Sequence, residues 1–193
     1  MNVAVIKYNA GNIQSVKIAL QRLGLTPNVT DDPEKITRAD KVIFPGVGEA
    51  SSAMEYLKKR DLDQILIKLK MPVLGICLGL QLLSRHSEEN DTECLGVFDT
   101  SVRRFPPVEK VPHMGWNTIN NLKGTLFNNI PEKSYVYFVH SYFAETIPTV
   151  IAGTNYILNF ASALEKDNFF AVQFHPEKSG LVGEKILKNF LEL

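Results

Sequence analysis

The run Pro72-Val73-Leu74-Gly75-Ile76-Cys77-Leu78-Gly79-Leu80-Gln81-Leu82-Leu83 limits what this chain can fold into more than any other stretch, because its periodicity changes at one residue. Val73, Leu74 and Ile76 form a short apolar run after a proline, as in a central strand of a parallel sheet, and Leu78, Leu82 and Leu83 then fall at helical spacing. Gly75 and Gly79 stand two residues to either side of Cys77. The pattern is that of a nucleophile elbow, in which the glycines are read as letting the backbone turn tightly. The cysteine then stands exposed at a helix N-terminus, where unpaired amides favour thiolate over thiol. A lone cysteine in an apolar run is more often a small core residue, so the reading needs a base elsewhere in the chain.

The 193 residues suit one domain, large enough to bury a core without metal or disulfide staples. Acidic and basic residues balance at 21 each, which argues against a broad electrostatic footprint for nucleic acid. Cys77 and Cys94 make no disulfide framework, and Cys94, lacking a glycine frame, is read as a structural or incidental thiol. The chain opens directly into Val3-Ala4-Val5-Ile6, with no basic leader and no apolar stretch of membrane-spanning length. The expectation is a soluble cytoplasmic protein, with no metal or other cofactor.

Strand-like and helix-like patterns alternate along the chain. Residues 2–8 read as a buried strand and residues 9–12 as a turn. A helix follows with Ile13, Val16, Leu20 and Leu23 on one face and Gly24 as its stop. A short segment over residues 26–30, a helical turn started by Pro33 and a strand at residues 41–44 complete parallel βαβ units. That strand runs into Pro45-Gly46-Val47-Gly48, a turn able to offer backbone N–H groups to an anion and, beside a cysteine nucleophile, a candidate oxyanion hole. Met54 and Leu57, then Leu62, Ile65, Leu66 and Leu69, mark helices before the elbow. Residues 84–107 are polar and read as an irregular surface excursion with a solvated His86, and residues 111–117 as a turn-like segment holding the only tryptophan, either a core corner or a partner-binding loop. Strands are expected at residues 134–143, 150–153, 160–166 and 169–174, with a hairpin at Asp167-Asn168 and a final helix at residues 183–193. The fold expected is α/β, one domain over residues 1–193 with a central, mostly parallel sheet flanked by helices.

The base is found in Gln173-Phe174-His175-Pro176-Glu177-Lys178-Ser179. Proline biases His175 towards an extended conformation, and residues two apart on an extended segment project together, so Glu177 is placed to orient the imidazole. Cys77, His175 and Glu177 together imply acyl transfer: attack by the thiolate on a carbonyl, a tetrahedral oxyanion steadied by backbone donors, protonation of the leaving amine by His175, and release of the acid by water.

These motifs resemble the class I, triad-type glutamine amidotransferases, with a flavodoxin-like fold, and within them the glutaminase subunits of imidazole glycerol phosphate synthase. The similarity runs from the first strand to the last helix. It rests on Gly75-Ile76-Cys77-Leu78-Gly79 and His175-Pro176-Glu177, with Gly11-Asn12 and Ser15, Pro45-Gly46-Val47-Gly48, Leu80-Gln81, Pro112-His113-Met114-Gly115-Trp116-Asn117, Tyr137-Phe138-Val139-His140-Ser141-Tyr142 and Lys178-Ser179. The resemblance implies that Cys77 is the nucleophile, His175 the acid/base and Glu177 its orienting partner. The backbone N–H groups of Val47 and Leu78 would form the oxyanion hole, and L-glutamine would be held around Gly46, Gly48, Gln81, Ser141 and Tyr142. Ammonia would pass to a separate HisF-like (β/α)8 cyclase subunit, docked near Asn12, Trp116, Tyr137 and Lys178, which converts PRFAR to imidazole glycerol phosphate and AICAR in histidine biosynthesis. It further implies a glutaminase that stays nearly idle until the liganded cyclase repositions the Gly46-Val47 turn. Two departures stand near these sites: Lys7-Tyr8-Asn9 in place of an acidic residue, tyrosine and glycine, and Glu49-Ala50 in place of Ala-Phe. Rival readings are the glutaminase subunit of pyridoxal phosphate synthase, an independent cysteine hydrolase, and a non-catalytic subunit that kept the fold. The segment at residues 113–117 and Lys178-Ser179 weigh against the first, and the intact triad against the last.

Overall fold

The computed structural model describes residues 1–8 and 12–193, so the predicted turn at residues 9–11, with Gly11 and the departure at Asn9, lies outside the described residues. In chain order the elements are β1 (Val3–Ile6), α1 (Ile13–Arg22), β2 (Asn28–Thr30), α2 (Pro33–Thr37), β3 (Lys41–Phe44), α3 (Ala50–Lys58), α4 (Leu62–Leu66), β4 (Val73–Ile76) and α5 (Leu78–Leu83). There follow β5 (Ser84–Ser87), β6 (Thr92–Glu93), β7 (Phe98–Arg104), β8 (His113–Ile119), β9 (Ser134–His140), β10 (Tyr142–Ala144), β11 (Val150–Tyr156), β12 (Leu158–Lys166), β13 (Phe169–Val172) and α6 (Gly180–Leu191).

β1, β3, β4 and β13 are four-residue strands buried along their whole length, which requires cover on both faces of the sheet. Alternation divides them. Val3 and Val5 pack with α1 and α6, while Ala4 and Ile6 pack with α2, α3, α4 and α5. The helix signals read from sequence act as expected. Gly24, at φ 81, closes α1 as its N–H donates to the Gln21 carbonyl and that of Leu25 to Leu20, both at 3.0 Å. Asp32 caps α2, accepting the Glu34 N–H at 3.0 Å, with Pro33 in the first turn.

The sheet runs β2-β1-β3-β4-β13 in parallel and turns antiparallel at the β12–β13 hairpin. It then continues through β10, β7, β5 and β6. Two readings are corrected here. Residues 84–107 hold three strands rather than an irregular excursion. In β7, buried Phe98, Thr100 and Val102 alternate with outward side chains, and the polar Thr100 hides that period in the sequence. Residues 113–117 belong to a strand, not a turn: β8 pairs with β9 over seven residues in a separate two-stranded sheet. Its polarity is inverted, with Met114 and Trp116 facing outward and His113 buried, so the usual signature of a half-buried strand is absent. No helix among the described residues is long and apolar enough to cross a membrane.

Candidate active site

Cys77 joins β4 to α5 with φ 53 and ψ −104, a conformation that residues with a side chain rarely adopt. Its N–H donates to the Val172 carbonyl at 2.8 Å, and its own carbonyl accepts from Leu80 and Gln81 at 3.0 and 3.3 Å. The strain sits on the cysteine itself. Gly75 and Gly79 serve a different purpose from the one read in the sequence, since neither takes up a left-handed turn. A Cβ on Gly79 would lie 2.0 Å from the Phe44 carbonyl oxygen, and one on Gly75 would lie 2.7 Å from Leu83 and 2.9 Å from the Gly79 carbonyl carbon. The glycines let α5 lie directly against β3 and β4.

His175 follows β13, its N–H bound to the Tyr137 carbonyl at 2.9 Å. Its Nδ1 donates to Glu177 Oε1 at 2.7 Å, and both side chains are buried. His175 is extended as expected, but Glu177 lies in a 3-10 turn, Pro176–Lys178, so the two side chains meet through that turn rather than along one extended strand. Asn12, expected at a partner interface, places its side-chain amide on the same Glu177 oxygen. Burial alone lowers the pKa of the imidazole, but the nearby Cys77 charge, joined by the charge and hydrogen bond of Glu177, raises it to about 10. The ring is therefore an imidazolium at neutral pH, the partner a thiolate requires.

The expected oxyanion donors do not converge. The Leu78 N–H donates to the Gly46 carbonyl at 3.3 Å. Because a trans peptide directs its C=O and N–H in opposite senses, the Val47 N–H points away from Leu78. Tyr8 braces this turn, its hydroxyl donating to the Pro45 carbonyl at 2.5 Å, and burial and the Cys77 charge hold its phenol well above the usual range. Glu49 accepts from Ser51 and Asn90, so the second departure ties the far end of the turn to the loop between β5 and β6.

A cavity of about 270 Å³ opens on the sulfur, with Val47, Gly48, Cys77, Leu78, Gln81, Ser141 and Tyr142 on its wall. All the expected glutamine-binding residues except Gly46 are thus gathered there. Pro112, Val139 and His140, which stand in the motifs quoted above without a named role, share this wall with Glu89, which sequence reasoning missed. Glu89 was hidden in a run of surface-like polar residues. One of its oxygens accepts the Ala50 N–H at 2.7 Å, and burial raises its pKa. His140 is fixed in one tautomer: Nδ1 donates to the Tyr142 carbonyl at 2.7 Å, so Nε2 accepts from His113 Nδ1 at 3.0 Å. Burial holds His140 down at about 3 and His113 at about 4, so the pair is neutral. Cys94 lies apart from this cavity, its thiol pushed up to about 12 by burial, and His86 pairs with Asp91 at 2.9 Å on β5. Among the described residues no cluster of three or more His, Cys, Asp or Glu could hold a metal ion.

On the outer face of β8 and β9, Trp116 is 56% exposed and meets the Tyr137 ring edge-on at 6.0 Å, with Lys178 Nζ 5.9 Å from the Tyr137 centroid. Met114 and Tyr135 extend this apolar face. Residues 4–193 match the family model described as glutamine amidotransferase class-I. The chain belongs to the class-I glutamine amidotransferases. Along its full length this class-I amidotransferase is 59% identical to the imidazole glycerol phosphate synthase subunit HisH of Bacteroides fragilis and 46% identical to that of Escherichia coli, with 100% of each chain covered. Its fold also matches two solved glutamine amidotransferases. One has a TM-score of 0.76 at 18% identity, covering 99% of this chain and 98% of that one. The other, from Thermotoga maritima, has a TM-score of 0.68 at 17% identity, covering 100% and 83%.

Proposed function

We propose that this class-I amidotransferase is the glutaminase subunit of an imidazole glycerol phosphate synthase. It hydrolyses L-glutamine to glutamate at Cys77 and hands the ammonia to a HisF-like (β/α)8 cyclase, which uses it to convert PRFAR to imidazole glycerol phosphate and AICAR. The observation that carries this reading is Cys77 on the wall of a cavity shared with Gln81, Ser141 and Tyr142, with the buried His175–Glu177 pair close enough for its charge and that of Cys77 to act on one another. The thiolate attacks the carboxamide carbon, the C–N bond breaks, and His175 protonates the departing ammonia. Water then adds to the thioester as His175 takes its proton, and glutamate leaves. The free oxygen of Glu89 meets the substrate ammonium. A nucleophile of this kind needs a reduced setting, and the cytoplasm supplies it.

The exposed face of Trp116, Tyr137 and Lys178 receives the cyclase. The Gly46 carbonyl on the Leu78 amide gives the isolated chain a physical reason to be idle: rotation of the Gly46–Val47 peptide would turn the Val47 N–H inward and free that of Leu78. Each oxyanion donor is worth about 2.7–4 kcal/mol of barrier, so loss of both suppresses hydrolysis by several orders of magnitude. For the cyclase's ligand to drive this rotation, it must bind the rotated state better than the resting one. The test is glutamate release by the chain alone, with a HisF-type cyclase, and with that cyclase plus PRFAR or a product analogue. Strong stimulation in the last mixture alone is expected. Equal rates in all three would overturn the coupling and favour an independent cysteine hydrolase.

A further inference from the structure

Gln173 is fully buried, and its Nε2 lies 3.6 Å from Cys77 Sγ, within hydrogen-bonding range of sulfur. Which end of the amide faces the sulfur is decided two hydrogen bonds away, by a main-chain carbonyl. The Tyr142 oxygen can only accept, so the end of Gln81 lying 3.2 Å from it is the NH2 group. That same NH2 lies 3.2 Å from the other end of Gln173, which must therefore be its oxygen. Only the NH2 of Gln173 is left for the sulfur. The backbone holds this arrangement in place, with the Gln173 N–H donating to the Ser162 carbonyl at 2.8 Å.

We propose that Gln173 is a catalytic residue, its Nε2–H donating to the Cys77 sulfur and favouring the thiolate both before attack and as the leaving group when the thioester is hydrolysed. The proposal rests on the reading of Cys77 as the nucleophile. An amide donor to a charged sulfur is stronger than one to a neutral thiol, so the contact favours the ionised form. In deacylation, water adds to the thioester carbon, the C–S bond breaks and the electron pair returns to sulfur. The amide is already aimed at the atom on which that charge reappears. Gln81 thus acts twice, lining the glutamine cavity and setting the orientation of the second amide behind it.

The experiment is alkylation of the full chain by iodoacetamide between pH 5 and 9, with the adduct located by mass spectrometry, in the unsubstituted protein and in Gln173→Met. The variant is expected to alkylate at Cys77 about 10-fold more slowly at pH 6.5, with the rise in rate displaced to higher pH, while its urea midpoint shows it folded. An unchanged pH profile in the folded variant would overturn the proposal. Should Gln173→Met fail to fold, the side-chain amide proton of Gln173 is followed by NMR in the unsubstituted protein. It is expected to shift in step with the alkylation profile, and a flat response would overturn the assignment. If Cys77 of the unsubstituted protein reacts no faster than Cys94 at any pH, the nucleophile reading itself fails, and the role of Gln173 with it.

Discussion

Cys77 is held at φ 53 between β4 and α5, and α5 lies too close to the neighbouring strand β3 for any side chain at residue 79. Gly79→Ala would drive a methyl group into the Phe44 carbonyl, so a loss of about 2–3 kcal/mol in urea unfolding is expected, and a neutral result would remove close packing as the reason for the glycine. Cys77→Ala separates the two halves of the proposed reaction. Mixed with a HisF-type cyclase, it is expected to lower glutamine-dependent synthesis by about 10⁴-fold or more while free ammonia still supports the cyclase. Loss of both activities would count against the assignment. At this scale the residues proposed as nucleophile, base and orienting acid were legible as candidates because each sits in a local frame of glycine or proline. Glu89 and Gln173 were not, because their meaning depends on neighbours 39 and 96 residues away.

Among the elements, β8 and β9 have an unusual position. They form a sheet of their own, yet the Tyr137 carbonyl of β9 binds the His175 N–H, and Val139 lines the cavity at Cys77. One strand therefore touches both the face proposed for the cyclase and the proposed triad. Trp116→Ala on this face is expected to weaken binding of the cyclase about 10- to 100-fold by calorimetry, and unchanged affinity would move the docking site elsewhere. The parallel strands β1, β3 and β4 were readable because total burial makes a strand uniformly apolar. The strands from β5 to β8 were not. β5 and β7 carry Arg85, Glu88, Asp99 and Arg103 in or beside their outward positions, with Arg103 and Glu88 pairing at 2.9 Å, and β8 turns its apolar side chains outward.

The whole molecule carries opposed pH dependences. His113 and His140 are held below their unfolded values, so the stability they contribute is present above about pH 6.5 and is lost as pH falls through their folded values of about 4 and 3. His175 is raised to about 10, so its contribution is complete below about pH 6.5 and is lost as pH rises towards 10. Stability from these three groups therefore peaks near pH 6.5. Between pH 6 and pH 5 the buried pair is expected to cost on the order of 2 kcal/mol, read as a falling urea midpoint, whereas a flat midpoint would mean the pair takes up protons without unfolding.

The carbonyl of Gly46 resting on the Leu78 amide would make the chain an inhibitor of its own chemistry that leaves the cavity open to glutamine. A tethered ligand acts at an effective concentration that a dissolved one hardly matches, so more glutamine fills the cavity without displacing it. In a cell rich in glutamine, the idle chain would bind its substrate and waste little of it. Supply would set occupancy, and the rotation of a single peptide would set the flow of nitrogen.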